Sequence, residues 1–206
     1  GRQSCATAYL HPALRRSNLT LLTEAHATQI ILEGTRAVGI EYLRHGKHGK
    51  AYAAREVILA GGAFNSPQLL MLSGIGPAAQ LRALGIAPRV DSPGVGGNLQ
   101  DHIGTTVSGT RPVAGPFRRE MRFDRMAISM LRAHAFGTGP ATILPGCLYG
   151  CIKTDNRLDA PDFQFIFRGV NSKPHLWFPG ICKPYADRCG VRPMLLHPKS
   201  RGHVRL

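Results

Sequence analysis

Apolar positions in the first quarter of the chain fall in short clusters. Leu19-Thr20-Leu21-Leu22-Thr23, His26 to Leu32 and Ala37 to Arg44 are rich in β-branched and aliphatic residues, with Glu33-Gly34-Thr35 and the polar run His45-Gly46-Lys47-His48-Gly49-Lys50 as punctuation. Short strands cut by turn formers predict an antiparallel meander. From Arg55 the pattern changes to a continuous apolar run, Val57-Ile58-Leu59-Ala60, as expected of a strand buried on both faces. Its place just before a helix predicts a layered α/β arrangement. A short helix is expected from Ala6 to about Leu14.

The stretch Gly62 to Gly76, GAFNSPQLLMLSGIG, carries explicit helix signals. Ser66 is placed to cap a helix and Pro67 to open it, where a missing N–H does no harm. Leu69, Leu70, Met71 and Leu72 make that helix apolar nearly all round, which predicts burial. Gly74 and Gly76 then supply left-handed or close-approach backbone. Pro77 opens a second helix, Ala78 to Leu84, ended by Gly85. The loop Ser92-Pro93-Gly94-Val95-Gly96-Gly97-Asn98-Leu99-Gln100-Asp101-His102 needs a turn or a ligand to explain it. After Gly104 the texture shifts to a Pro- and Gly-containing segment, a helical piece from Met121 to His134, an alternating strand from Asp162 to Phe167 and another from Arg192 to Leu196. A domain boundary is placed at residue 104, dividing 1–104 from 105–206.

Composition changes this picture little. The 206 residues are 43% hydrophobic, enough for a real core, and no run approaches the roughly 18 apolar residues of a spanning helix. Lys plus Arg number 26 against 12 Asp plus Glu, a formal charge of +14. Such a balance raises a nucleic-acid-binding module as an alternative, since basic surfaces displace counterions from phosphates. The cations are dispersed and no zinc-finger or aromatic-basic block is present, so no nucleic-acid partner is expected. Five cysteines, an odd count, argue against a complete disulfide framework and for reduced thiols in a cytoplasmic-type compartment, with peripheral membrane contact left open. Cys147, Cys151, Cys182 and Cys189 with His175 do not match zinc spacings.

The chemical signals are individually weak. Gly61 and Gly62, between strand and helix, suit either tight packing or backbone approach to a phosphate-bearing ligand. Asp101 beside His102 admits an acid–base reading or a loop brace. Ser66 lacks a G-x-S-x-G elbow and is not a nucleophile candidate.

Three blocks in order, GAFNSPQLLMLSGIGPAAQLRALGI, DSPGVGGNLQDH and LHPKSRGHVRL, together resemble the glucose-methanol-choline (GMC) family of FAD-dependent alcohol oxidoreductases, nearest to its choline-dehydrogenase-like branch. NLTLLTEAHATQIILEGTRAVGIEYLR resembles the family's antiparallel segment and PDFQFIF a strand of its substrate domain. The resemblance implies an α/β plus α+β chain: a partial FAD-binding, Rossmann-like domain with its meander, then part of an antiparallel-sheet substrate domain. It also implies roles by position. Ala27 matches the residue that holds the FAD adenine through backbone groups, and Ala60, Gly61 and Gly62 match the strand end beside the adenosine. Asn98 and His102 belong to the segment that closes over the flavin.

By the same resemblance the activity is oxidation of an alcohol CH–OH group, choline-like or another primary alcohol, by hydride transfer to flavin, with the electron acceptor unspecified. The family's G-x-G-x-x-G unit and its catalytic histidine are absent from this sequence, so no catalytic residue is assigned. The chain is accordingly expected to be an inactive internal piece of a longer enzyme, partnered by its N- and C-terminal parts. A non-catalytic remnant is the remaining alternative.

Overall fold

Left-handed turns set the first sheet. In the computed structural model, which describes residues 3–142, 147–171 and 173–206, β1 (Ala25–Glu33), β2 (Arg36–Arg44) and β3 (Lys47–Tyr52) pair antiparallel in that order. Gly34 takes φ 59 in the first turn; in the second, His45 and Gly46 take φ 49 and 74. Two consecutive positive φ values are the type I′ geometry, whose twist matches that of the flanking strands. Gly39 lies opposite Tyr52, and a side chain there would run into the Ala51 carbonyl.

The meander is therefore present, but its membership differs from the sequence expectation. Leu19–Thr23 forms no strand, and the polar segment taken as punctuation supplies the third one. The I′ turn folds Lys47–Tyr52 straight back onto β2, and an exposed edge strand needs backbone pairing rather than apolar alternation. Residues 55–60 also differ: they form no strand, and Ile58 is 78% exposed. A doubly buried strand needs a neighbour on each side, and the described residues offer none.

Ahead of the meander, a π-helical turn (Ala6–Leu10) runs into α1 (His11–Ala13). The leucine-rich helix, α2 (Gly62–Leu72), starts four residues before the expected Ser66 cap. Gly61 occupies the cap position, and the Ser66 hydroxyl instead accepts the Gly61 N–H at 3.0 Å. Pro67 lies inside the helix, where it removes the bond to the Ala63 carbonyl; Ala63 is exposed, so water can satisfy that oxygen. Of this helix only Met71 is buried, and Phe64 and Leu72 stay 63% and 45% exposed, against the expected all-round burial, because no described element packs over them.

What α2 does pack against is β1. Ser73, just past the helix, donates its hydroxyl to the Leu69 carbonyl at 2.6 Å and accepts the Ile30 N–H at 2.8 Å. The Ile30 amide faces away from β2 on the outer edge of the sheet, so this hydroxyl gives it a buried acceptor. Around the contact sits a small core of Ile30, Leu32, Met71, Ala78 and Leu81. Gly74 (φ 83) turns the chain where a Cβ would meet the Ala87 carbonyl at 2.7 Å. There β4 (Ile75–Gly76) pairs parallel with β5 (Val90–Asp91), and the Asp91 carboxylate accepts the Ala78 N–H at 3.0 Å, capping α3 (Ala78–Ala83) from outside. The following loop is pinned to the chain's end: Val204 N–H donates to Gly96 O at 2.7 Å, and Leu99 and Gly202 exchange two backbone bonds.

These elements make one unit, Gly1–Leu99 with Arg201–Leu206; a second is Gln100–Ser200. In the second, β10 (Arg188–Leu195) pairs antiparallel with β6 (Ile103–Gly104), β7 (Val107–Thr110) and β9 (Phe163–Arg168), and β9 pairs with β8 (Cys147–Ile152). Phe163, Phe165 and Phe167 share one face of β9, with ring centroids 5.2 and 6.1 Å apart in succession. Two helices, α4 (Pro116–Glu120) and α5 (Phe123–Phe136), meet at a junction held by Trp177, which exchanges backbone bonds with Met121 and Phe123 and donates its indole N–H to the Arg118 carbonyl at 2.8 Å. Asp187 is buried and accepts the Gly115 N–H at 2.7 Å. Burial, then the nearby Asp187 carboxylate, pushes the Tyr185 phenol up. No helix among the described residues is long and apolar enough to cross a membrane.

Two outcomes test this account. Ser73→Ala leaves the buried Ile30 amide without its acceptor and is expected to lower unfolding stability by about 1–3 kcal/mol in urea titration; an unchanged midpoint would mean the amide finds another partner. At the start of α5 the Arg122 guanidinium, bonded to Asp124 at 2.6–2.7 Å, holds that carboxyl at about 2, below its ordinary 3.8. A depressed folded-state value stabilises above the unfolded one, so this contribution is complete above about pH 4 and lost as pH falls toward 2. Asp124→Asn should remove that acid-sensitive step from the helical circular dichroism signal, leaving the neutral-pH spectrum close to that of the parent.

Candidate functional site

The main cleft of the first unit opens between the meander and the start of α2. Its volume is about 670 Å³, walled on one side by Ala25, His26 and Ala27 of β1 and on another by the run Val57 to Gly61. The Ala51–Ala53 stretch beside Gly39 and Ile40 makes the third wall, and Asn65, Ser66 and Leu69 of α2 close it. Small residues create this space. A Cβ on Gly61 would come within 3.1 Å of the Asn65 Cβ and 3.3 Å of the Ser66 nitrogen.

Three of the residues singled out in the sequence, Ala27, Ala60 and Gly61, converge on this cleft although 32 or more positions separate Ala27 from the others. Gly62 is not in the lining. It carries φ 83 with open space around it and makes the left-handed entry to α2. Asn98 and His102 do not line the cleft. Asn98 sits at φ 58, a conformation asparagine tolerates better than most residues, in the loop pinned to Gly202 and Val204. The Asp101 carboxylate accepts the backbone N–H of His102 at 2.8 Å rather than its imidazole, which is the brace and not the acid–base pair.

Sequence reasoning missed the third wall. Gly39 of β2, Ala51 of β3 and Ala53 just beyond β3 are small residues that the pairing brings side by side, a signal visible only once the register, Gly39 opposite Tyr52, is known. Glu56, Asn65 and Gln68 were also passed over. No Lys or Arg lines the cleft, and Glu56 is its one carboxylate. Such a surface suits an uncharged, partly flat group with hydrogen-bonding edges, and opposes a phosphate.

Metal chemistry has no visible support: among the described residues no three His, Cys, Asp or Glu side chains gather to hold an ion. Cys5, Cys151, Cys182 and Cys189 are free thiols, and the Cys147 side chain lies outside the described residues.

Known proteins give this geometry a context. The GMC oxidoreductase family profile matches residues 1–104. Human mitochondrial choline dehydrogenase is 55% identical over 169 residues, 81% of this chain and 28% of its own length. An oxygen-dependent choline dehydrogenase of Staphylococcus aureus is 41% identical over 205 residues, 100% of this chain and 35% of its own. A solved formate oxidase of Aspergillus oryzae, in which FAD modification was probed, superposes with a TM-score of 0.73 at 26% identity over 89% of this chain and 36% of its own. The chain thus spans only 28% to 36% of the length of these proteins. A profile match over half the chain, strong identity to two choline dehydrogenases and a shared fold lead to one statement: this chain belongs to the GMC oxidoreductase family, whose members depend on FAD.

Proposed function

We propose that this chain is part of an enzyme that oxidises the CH–OH group of a choline-like primary alcohol, and that its cleft receives the adenosine end of FAD. The observation that carries the reading is the convergence of Ala27, Ala60 and Gly61 on one cleft free of Lys and Arg. The fit is selective. An adenosine moiety is uncharged and flat and suits these walls, whereas the pyrophosphate needs donors or cations that must come from elsewhere. When bound, FAD supplies the hydride acceptor for alcohol oxidation.

The chain's own residues would shape and orient. Ala27 presents backbone groups to the purine edge, and Ala60 and Gly61 bring backbone close where a larger side chain would stand in the way. Gly62 sets the direction of α2 through its left-handed φ. Asn98 belongs to a loop tied at Gly96 and Leu99 to the chain's last residues, and with His102 it would form the segment that closes over the flavin. The functional division falls near residue 104, with cofactor contacts before it and substrate-domain structure after it. Choline is favoured as the alcohol because both relatives are choline dehydrogenases; none of this chain's residues takes a catalytic role.

Two measurements test the proposal. The purified chain alone is expected to carry no stoichiometric flavin absorbance and to give no dye-linked choline turnover, and supplying the rest of a choline dehydrogenase polypeptide in trans should raise both; a yellow, active chain on its own would sink the idea that it needs the remainder. In adenosine titrations followed by NMR, Gly61→Val should weaken binding on the order of tenfold without unfolding the meander. Equal affinity for parent and variant would remove the cleft from the reading.

A further inference from the structure

We propose that the tip of the β2–β3 hairpin is a binding site for a phosphate monoester or pyrophosphate group, separate from the flavin cleft. The two regions share no lining residue: the hairpin concavity, about 320 Å³, is formed by Tyr42, Arg44, His45, Lys47, His48 and Gly49.

Strand register places the chemistry. Arg44 stands directly opposite Lys47, and Tyr42 directly opposite Gly49. Side chains alternate between faces, so these four positions share one face of the hairpin. Directly opposed residues bring their Cβ atoms to about 4.5–5.5 Å, and like charges at that separation destabilise the pair. An anion between them reverses the sign of the interaction.

The other charges nearby are already matched. Lys50 pairs with Glu41 at 2.7 Å from the alternate register positions, and that carboxylate pushes the Lys50 ammonium up. His45 lies 3.5 Å from Glu24, the acid nearest the turn. The Lys47 and His48 side chains have no hydrogen-bonding or ionic partner among the described residues. Arg44 donates Nε to the Thr23 carbonyl at 3.0 Å, which fixes the guanidinium plane and leaves its terminal nitrogens without a partner among the described residues.

The floor is built as well. A Cβ on Gly49 would lie 2.5 to 2.7 Å from Tyr42 ring atoms, so the glycine is what allows the tyrosine ring to lie across the neighbouring strand. Arg44 is half-buried, whereas Lys47 and His48 are exposed. One fixed guanidinium and one mobile ammonium over an aromatic floor suit a compact dianion. A guanidinium fork matches phosphate oxygens in pairs, and an ammonium supplies a point charge. A single carboxylate would satisfy Arg44 alone and leave Lys47 unmatched.

The test is a titration of the full chain with sodium pyrophosphate, reading the backbone NMR resonances of Gly46, Lys47 and His48 in phosphate-free buffer. Expected are saturable shifts at these residues, an affinity reduced on the order of tenfold in Lys47→Glu, and no change in Gly61→Val. Lys47→Gln gives the same comparison should the glutamate disturb the hairpin. It is also expected to raise the thermal midpoint without anion and to remove the further rise that pyrophosphate gives the parent.

Vesicles of phosphatidylcholine doped with phosphatidic acid separate the sources. Retention on doped but not plain vesicles, lost in Lys47→Glu, assigns the monoester to a lipid headgroup; pyrophosphate binding without retention assigns a soluble ligand. The proposal is overturned by the absence of saturable shifts with pyrophosphate together with no vesicle retention, by binding that survives Lys47→Glu, or by an oligonucleotide displacing pyrophosphate at equal phosphate concentration.

Discussion

A single serine hydroxyl joins the strand layer to the helix layer in the first unit. Ser73 takes the buried Ile30 amide of β1 and at the same time ties itself to the last turn of α2. Because the bond is buried, water cannot stand in for either partner. It fixes where α2 lies against β1, and that placement sets the gap between the Ala25–Ala27 wall and the Gly61–Asn65 wall. Gly61 and Gly39 line that cleft, and a Cβ on either would run into its neighbours.

The meander presents two surfaces of different chemistry. Toward Ala25–Ala27 and Gly39 its surface is small and uncharged; toward the His45-Gly46 turn it is crowded with cations. An antiparallel sheet permits this because register, and not sequence distance, decides which side chains meet. The same register pairing that sets Gly39 opposite Tyr52 sets Arg44 opposite Lys47. A slip by one residue would move every one of these groups to the other face.

Sequence reading recovered the family, the presence of a meander, α3 with its terminating Gly85 (φ 75), and the strands at Phe163–Arg168 and Arg188–Leu195. These succeed because turn formers and alternation are local signals. The failures are non-local. Val57 to Ala60 has the composition of a buried strand, but burial belongs to neighbours that the described residues do not include. Ser66 and Pro67 have the composition of a helix start, yet Gly61 and Gly62 begin the helix earlier because the Ser66 hydroxyl serves the Gly61 amide. At the site, Ala27, Ala60 and Gly61 were legible through the family resemblance. Gly39 and Ala51 were not, since small residues on paired strands announce a cavity only when the pairing is known.

The run after Ala53, which forms neither helix nor strand, bears on the behaviour of the chain in bulk. Residues 55–60 make no backbone hydrogen bond among the described residues, and Ile58 projects into solvent. Backbone with unpaired donors and acceptors beside apolar side chains can pair with a strand of another molecule, and the segment most abundant in a concentrated solution is the same one in another copy. Colloidal behaviour is therefore governed by competition: the positive charge that keeps molecules apart opposes edge-to-edge addition at residues 55–60, and added salt, by screening that charge, shifts the balance toward self-association.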